Sequence, residues 1–343
     1  MKKSLRRPIQ TKIPWPRVRR PKKTMPFRFI DLFAGIGGTR LAFEAVGGEC
    51  VFSSEWDKDA QKTYAANFGE VPHGDITQID ASEIPNFDIL LAGFPCQPFS
   101  SIGQRQGFKH QTQGTLFYDV VRILEAKRPA AFLLENVVGL LNHDGGNTFS
   151  VITNSLNELG YSVHHQVLDA ADYGVPQHRK RVYIVGYDKR RMRQDAIFFW
   201  PKKSRKNAVI GPFIESGVTD RSISKHLQGG YLFKLDDGRP EIIDRRSKTK
   251  VKTLVASYHK IQRLTGTFVK DGPTGLRLLT ENECKAIMGF PRTFQIPVSR
   301  TQMYRQMGNS VAVPVVTAIA TEMLTTLVKG LRQTKGAERA KAK

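Results

Sequence analysis

Four clusters of residues in this sequence have side chains able to do chemistry. The first is Gly93-Phe94-Pro95-Cys96-Gln97-Pro98-Phe99-Ser100. A thiolate is a strong nucleophile once its surroundings lower its pKa. An arbitrary cysteine is more often a buried structural thiol. Around Cys96, however, Gly93, Pro95 and Pro98 set a fixed, exposed turn, which favours the nucleophile. The second cluster is Glu135-Asn136-Val137, at the end of an apolar run, where a carboxyl group with a raised pKa serves as a general acid. The third is Gln177-His178-Arg179-Lys180-Arg181, which puts Arg179 and Arg181 on one face of a strand. Such a pair is either a solvated cationic edge or a grip on a base or phosphate. His178 is expected to be exposed and is assigned no role.

The fourth cluster is Asp31-Leu32-Phe33-Ala34-Gly35-Ile36-Gly37-Gly38, followed by Glu55-Trp56 and Gly74-Asp75-Ile76. Glycines between a strand and a helix let the backbone approach a ligand at the carboxyl end of a sheet. The spacing departs from Gly-x-Gly-x-x-Gly, which argues against a pyrophosphate-binding dinucleotide site. Glu55 at the tip of a second strand is placed to accept hydrogen bonds from ribose hydroxyls. Trp56 is either a core aromatic or a flat face for a base, and Asp75 could accept from an adenine amino group. Together these residues suggest a nucleoside ligand. Residues 101–113 are polar and glycine-dotted, as in a loop able to close over a substrate.

The elements that must position these groups follow from apolar patterning. Strands are expected at residues 29–33, 51–54, 87–91, 131–134, 161–168 and 181–185. Helices are expected at 39–46, 57–67, 116–126 and 148–159. Strands alternating with helices predict an α/β fold with a doubly wound, mostly parallel sheet. Past residue 187 the rhythm stops, and short β-like pieces such as 252–255 suggest a second, smaller irregular domain. Thr280-Glu281-Asn282-Glu283 has the form of a helix capping box. A last helix is expected over 311–327, with Pro314 tolerated in its first turn. The expected organisation is a basic leader (1–24), a catalytic and cofactor domain (25–186), a recognition domain (187–276), a return segment with the final helix (277–328) and a basic tail (329–343).

The 343 residues carry 53 Lys+Arg against 31 Asp+Glu, a formal net charge of +22. Residues 25–186 are net −6, whereas residues 187–271 are net +11 and the two ends carry +10 and +5. A charge so distributed points to a polyanion bound by one region rather than by the whole surface. Three cysteines in this length form no disulfide framework, and no run of 18 apolar residues or secretory signal is present. A cytoplasmic protein without membrane association is expected.

Assembled in order, the motifs resemble those of the DNA (cytosine-5)-methyltransferase family of bacterial restriction-modification systems, from residue 27 to about 327. Gly114-Thr115-Leu116-Phe117, residues 277–291 and Gln306-Met307-Gly308-Asn309-Ser310-Val311 complete the set. The resemblance implies a Rossmann-like fold and S-adenosylmethionine as methyl donor. Phe33, Gly35, Ile36, Gly38, Glu55, Trp56, Asp75, Ile76, Pro95, Leu116, Asn309 and Ser310 would form its pocket. It implies that a cytosine is flipped out of the duplex and attacked at C6 by Cys96. Glu135 would act at the N3 edge, Arg181 would hold the base or its phosphate, and Arg179 would support the loop and the acid. Residues 187–276 would be the target-recognition region, with Gln97, Ser100, Thr253 and Leu254 near the substrate DNA. The implied partner is double-stranded DNA, read by a monomer near the nucleoid, with a cognate restriction endonuclease acting on the same site.

Three other readings compete with this one. An RNA (tRNA) cytosine methyltransferase of the same architecture usually carries Cys-Phe-Thr late in the chain, which is absent here. A catalytically dead relative should have lost Cys96 or Glu135. A nucleotide-dependent dehydrogenase is disfavoured by the incomplete glycine fingerprint.

Overall fold

The computed structural model describes residues 26–95, 116–205 and 207–331. Cys96, Gln97, Ser100, the loop 101–113, the basic leader and most of the basic tail lie outside the described residues. The chain runs through β1 (Phe27–Leu32), α1 (Gly38–Glu44), β2 (Gly48–Ser54), α2 (Lys58–Phe68), β3 (Ile89–Ala92), α3 (Leu116–Lys127), β4 (Ala131–Val137), α4 (Asn147–Glu158), β5 (Tyr161–Asp169) and β6 (Lys180–Asp188). It continues through the one-turn α5 (Lys225–Leu227), β7 (Glu241–Ile243), β8 (Thr267–Val269), α6 (Glu281–Met288), α7 (Arg300–Asn309) and α8 (Val313–Gly330).

The main sheet has the order β2-β1-β3-β4-β6-β5. The pairs β1–β2, β1–β3 and β3–β4 are parallel, while β6 is antiparallel to both β4 and β5. The sheet is thus mostly parallel, as expected, with an antiparallel hairpin at one edge. The hairpin arises because only a one-turn 3-10 helix, Ala170–Asp172, separates β5 from β6, too short a connection for the chain to cross over, so it must turn back.

Strand alternation sorts the core into two layers. Ile89, Leu91, Leu133, Tyr183 and Val185 face one cluster with α1, α6, α7 and α8. Leu90, Phe132, Leu134, Val182 and Ile184 face the other, with α3 and α4. The span Arg300–Gly330, which holds α7 and α8, is long and apolar enough to cross a membrane by length and composition, and α8 is its apolar part. Its apolar residues instead pack in the core, against α1 among others. Pro314 sits in its first turn, where a missing N–H costs nothing. Helix α6 opens on the expected capping box between Thr280 and Glu283.

Two expectations are corrected. Residues 252–255 form no strand; Val251 bridges Gln177 and the chain then leaves the ladder. Helix α7 was not foreseen, because its sequence is polar apart from Met303, Tyr304 and Met307. Ser299 caps it by accepting from the Gln302 amide. Beyond β6 the structure is irregular, with β7 and β8 as a separate parallel pair. Its apolar residues, including Phe213, Leu232, Ile243 and Phe268, join the same cluster as α8.

Candidate active site

The carboxyl ends of β1, β2, β3 and β4 bring the predicted clusters together. At the end of β1, Phe33 and Gly35 both take left-handed backbone conformations, with φ of 55° and 56°. A non-glycine residue there is strained, and the strain is held by neighbouring bonds. The Ala34 amide donates to the Ser54 carbonyl at 2.9 Å, and the Gly35 amide donates to Glu55 Oε2 at 2.8 Å. The other oxygen of Glu55 accepts from the Asp57 amide at 2.8 Å. Glu55 thus ties the tip of β2 to the glycine turn, and its pKa is raised by burial. A side chain at Gly35 would meet nothing within 4 Å, so the turn borders open space. Trp56 is 73% exposed, which decides against the core-aromatic reading. Asp75 and the buried Ile76 are brought alongside by the Glu55 amide donating to the His73 carbonyl at 2.8 Å. Ile36 is buried in the core, so it can offer this space its backbone but not its side chain.

Beneath the turn lies Asp31, 1% exposed, whose Oδ2 accepts from the Thr39 hydroxyl at 2.6 Å. Burial pushes its carboxyl up to about 7. The unfolded carboxyl ionises near pH 4. Its stabilising contribution is therefore complete below that pH and is lost as pH rises to about 7. Asp31→Asn is expected to flatten the fall in melting temperature across this window, measured by calorimetry.

Strand β3 leads through Gly93 and Phe94 to Pro95, which is exposed and immediately precedes Cys96. A side chain added at Gly93 would lie 3.7 Å from Glu135 Oε2, so this turn faces the acid. Asn136, buried at the end of β4, donates to the Phe94 carbonyl at 2.8 Å and anchors the same turn. Glu135 itself pairs with Arg181, Nε to Oε1 at 3.1 Å. The register makes this possible, because β4 and β6 run antiparallel and Val137 lies opposite Arg181. Burial raises the Glu135 pKa, and the charges of Arg181 and Arg179 oppose the rise. Neither described cysteine competes as a nucleophile. Burial pushes the Cys50 thiol up to about 12 and the Cys284 thiol well above its ordinary value.

The two arginines divide their tasks, so neither forms a solvated edge. Arg181 meets the acid, whereas Arg179 is 2% exposed and its guanidinium donates to main-chain carbonyls. Those are Leu254 at 3.1 Å, Gly308 at 2.9 Å and Ser310 at 2.5 Å. Arg179 is therefore a positioning residue. His178 is exposed, as expected. Ser310 is carried to the glycine turn by the return of the chain through α7. A side chain at Gly38 would meet Ser310 Oγ at 2.8 Å. Asn309 beside it is exposed, and Leu116 opens α3 half-buried. Of the Thr253-Leu254 pair, Leu254 is packed into the core because its amide is drawn to Gln177 Oε1 at 2.7 Å. Its side chain is thus not available to a base, and Thr253 alone is half-exposed. Asn136 and Gln177 stood in the quoted motifs, but residue type gave no sign of which carbonyl or amide each would hold.

Residues 27–325 match the family described as C-5 cytosine-specific DNA methylase. The chain belongs to this family. The Type II methyltransferase M.MspI of Moraxella sp is 61% identical over 307 residues, which cover 90% of this chain and 72% of that one. The Type II methyltransferase M.BsuFI of Bacillus subtilis is 60% identical over 296 residues, covering 86% and 72%. Among solved structures, the S. pombe Dnmt2 methyltransferase superposes with a TM-score of 0.69 at 20% identity, covering 87% of this chain and 98% of that one. That likeness speaks to the fold, the α/β fold of C5 methyltransferases. As a member of the C-5 cytosine-specific DNA methylase family, the protein is a DNA cytosine-5 methyltransferase.

Proposed function

We propose that the protein flips a cytosine out of a specific duplex site and methylates it at C5 with Cys96 as nucleophile, protecting host DNA in a restriction-modification system. The observation that carries this reading is the Glu135–Arg181 pair facing Gly93, three residues before the cysteine. A base inside a duplex is out of reach, so it must enter this space unstacked. The Cys96 thiolate adds to C6. Glu135, whose pKa burial raises against the opposing charges of Arg181 and Arg179, gives a proton at N3, so that negative charge does not build on the ring. Arg181 then balances the carboxylate and holds the base or its phosphate. Once C5 carries the methyl group, the C5 proton passes to solvent, its electron pair re-forms the C5–C6 double bond and expels the Cys96 thiolate, and N3 returns its proton to Glu135.

S-adenosylmethionine, when bound, supplies the methyl group as a sulfonium donor. The open side of Gly35, the pinned Glu55 and the exposed Trp56 fit a nucleoside without phosphates. Phe33, Gly38, Asp75, Ile76, Pro95, Leu116, Asn309 and Ser310 complete the pocket. Residues 187–276, with their excess of cations, form the region that meets double-stranded DNA, and Gln97, Ser100 and Thr253 are assigned to the substrate DNA.

The test is incubation with unmethylated plasmid DNA and labelled methyl donor, followed by digestion to nucleosides. Label in 5-methylcytosine supports the reading; its absence there overturns it. Affinity for DNA is also expected to fall steeply with salt, by roughly 10³-fold or more between 50 and 200 mM if six or more phosphates are neutralised. Filter binding across that range measures the slope.

A further inference from the structure

His178 stands at the active-site end of the sheet, although the methyl transfer gives it no task. Strand β6 runs antiparallel to β4, so its first residues lie beside the carboxyl end of β4, where Val137 pairs with Arg181. His178 comes two residues before β6. Its main chain is tied on both sides. The amide donates to the Val251 carbonyl at 2.8 Å, and the carbonyl accepts from the Thr253 hydroxyl at 2.6 Å. The side chain is 60% exposed, yet its ring is held, with Nδ1 3.0 Å from Asp169 Oδ2 at the end of β5. Asp169 is itself fixed, because its Oδ1 accepts from the amides of Ala171 at 3.1 Å and Arg179 at 2.9 Å. A carboxylate on Nδ1 leaves Nε2 as the nitrogen to meet a ligand. Gln177 and Arg179 on either side are buried and spend their side chains on protein groups, so within 177–179 only His178 is left for one.

The charged groups nearby are mostly cations. Lys180 follows on β6 and is exposed, and Lys250 and Lys252 flank Val251. Lys250 Nζ donates to the Ala171 carbonyl at 3.1 Å. Of the carboxylates, Asp172 is engaged by Lys203 at 3.0 Å, and Glu241 accepts from the Lys252 amide at 3.2 Å. That leaves Asp169 for the imidazole.

We propose that His178 is a further contact to the substrate DNA: its imidazolium, aimed by Asp169, donates from Nε2 to a backbone phosphate beside the flipped cytosine. This rests on the function proposed above, which assigns Thr253 to the substrate DNA and Arg181 to the base or its phosphate. A carboxylate on one ring nitrogen and a phosphate on the other both favour the cationic ring. An exposed ion pair contributes little stability by itself, so what Asp169 supplies is direction. A contact of this kind fixes register on the duplex and carries no sequence information.

The experiment measures affinity for an unmethylated plasmid fragment by filter binding across a range of salt, at two pH values, alongside methyl transfer by the same preparations. One phosphate contact is worth a slope of about 0.9 in log K against log salt. At about pH 6, which favours an imidazolium, His178→Gln is expected to lower the slope by that amount. Its deficit in affinity should then narrow about 3.5-fold between about 50 and 200 mM salt. At about pH 8.5, where imidazoles are neutral, His178→Gln and the unaltered protein should share one slope. His178→Lys, cationic at both values, should keep the full slope at both. A histidine that only supports the fold would give no such dependence on charge. Equal slopes for His178→Gln and the unaltered protein at the lower pH would overturn the contact and leave the function standing. So would a His178→Lys slope no steeper than that of His178→Gln, or a slope difference that persists at the higher pH. Absence of methyl transfer by the unaltered protein would overturn the reading beneath it.

Discussion

Cys96→Ser is expected to abolish methyl transfer, lowering the rate by roughly 10⁴-fold or more, the scale of losing a nucleophile. A hydroxyl is far less acidic than a thiol, and nothing described around the site supplies the base that would activate it. Glu135 is buried and its pKa is raised, which suits a proton donor, and Arg179 and Arg181 are cations. The variant should still bind S-adenosylhomocysteine, because the Glu55 tether and the Gly35 turn do not involve the thiol. The decisive measurement is trapping on DNA containing 5-fluorocytosine, where the departing C5 proton is replaced and the covalent complex persists. Cys96→Ser should give no trapped band on a denaturing gel. A band of normal yield would assign the nucleophile elsewhere, and Cys50 and Cys284 are poor candidates because burial raises both thiols.

Glu135→Gln should slow transfer by about 10²–10⁴-fold, the usual worth of a positioned general acid. The amide is close in shape but has no proton to give to N3. It also leaves Arg181 without its carboxylate partner. The pH dependence carries the sign. With the pKa raised above the ordinary carboxylate range, the protonated form persists to higher pH and is lost as pH rises through that value. The unaltered enzyme should therefore lose rate on the alkaline side, against the gain from thiolate formation. Single-turnover rates across pH should show that falling limb missing in Glu135→Gln. An unchanged falling limb would remove Glu135 from the proton transfer.

The strands and their contents were legible because burial writes itself in simple periods. Apolar runs leading to the glycine turn after residue 33, to Glu55 and to Glu135 predicted the carboxyl ends of β1, β2 and β4, and the three strands end there. The polar helix α7 was not legible, since a stripe of only Met303, Tyr304 and Met307 hardly departs from loop sequence. Nor was the direction of β6, which depends on a missing crossover rather than on any residue in the strand. Arg179 and Arg181 look alike in sequence and differ only through depth. One is two residues deeper in the ladder and faces a carboxylate, while the other is enclosed by three carbonyls. The burial of Leu254 beside the half-exposed Thr253 is likewise a tertiary fact, set by one glutamine.

The return of α7 and α8 to the first strands has a consequence for how the protein is made. At roughly 5–20 residues per second a ribosome needs about 20–70 s for a chain of this length. The acid and the glycine turn emerge in the first half of that time. Until Gly308 and Ser310 follow, Arg179 has no carbonyls there to receive its charge, and the apolar side of α1 has no α8 to cover it. A nascent chain halted before residue 300 would be an unfinished core rather than a weak enzyme. Newly translated molecules should thus become competent only once α7 and α8 have emerged and packed, and a cell acquiring the gene would gain no methylation from shorter nascent chains.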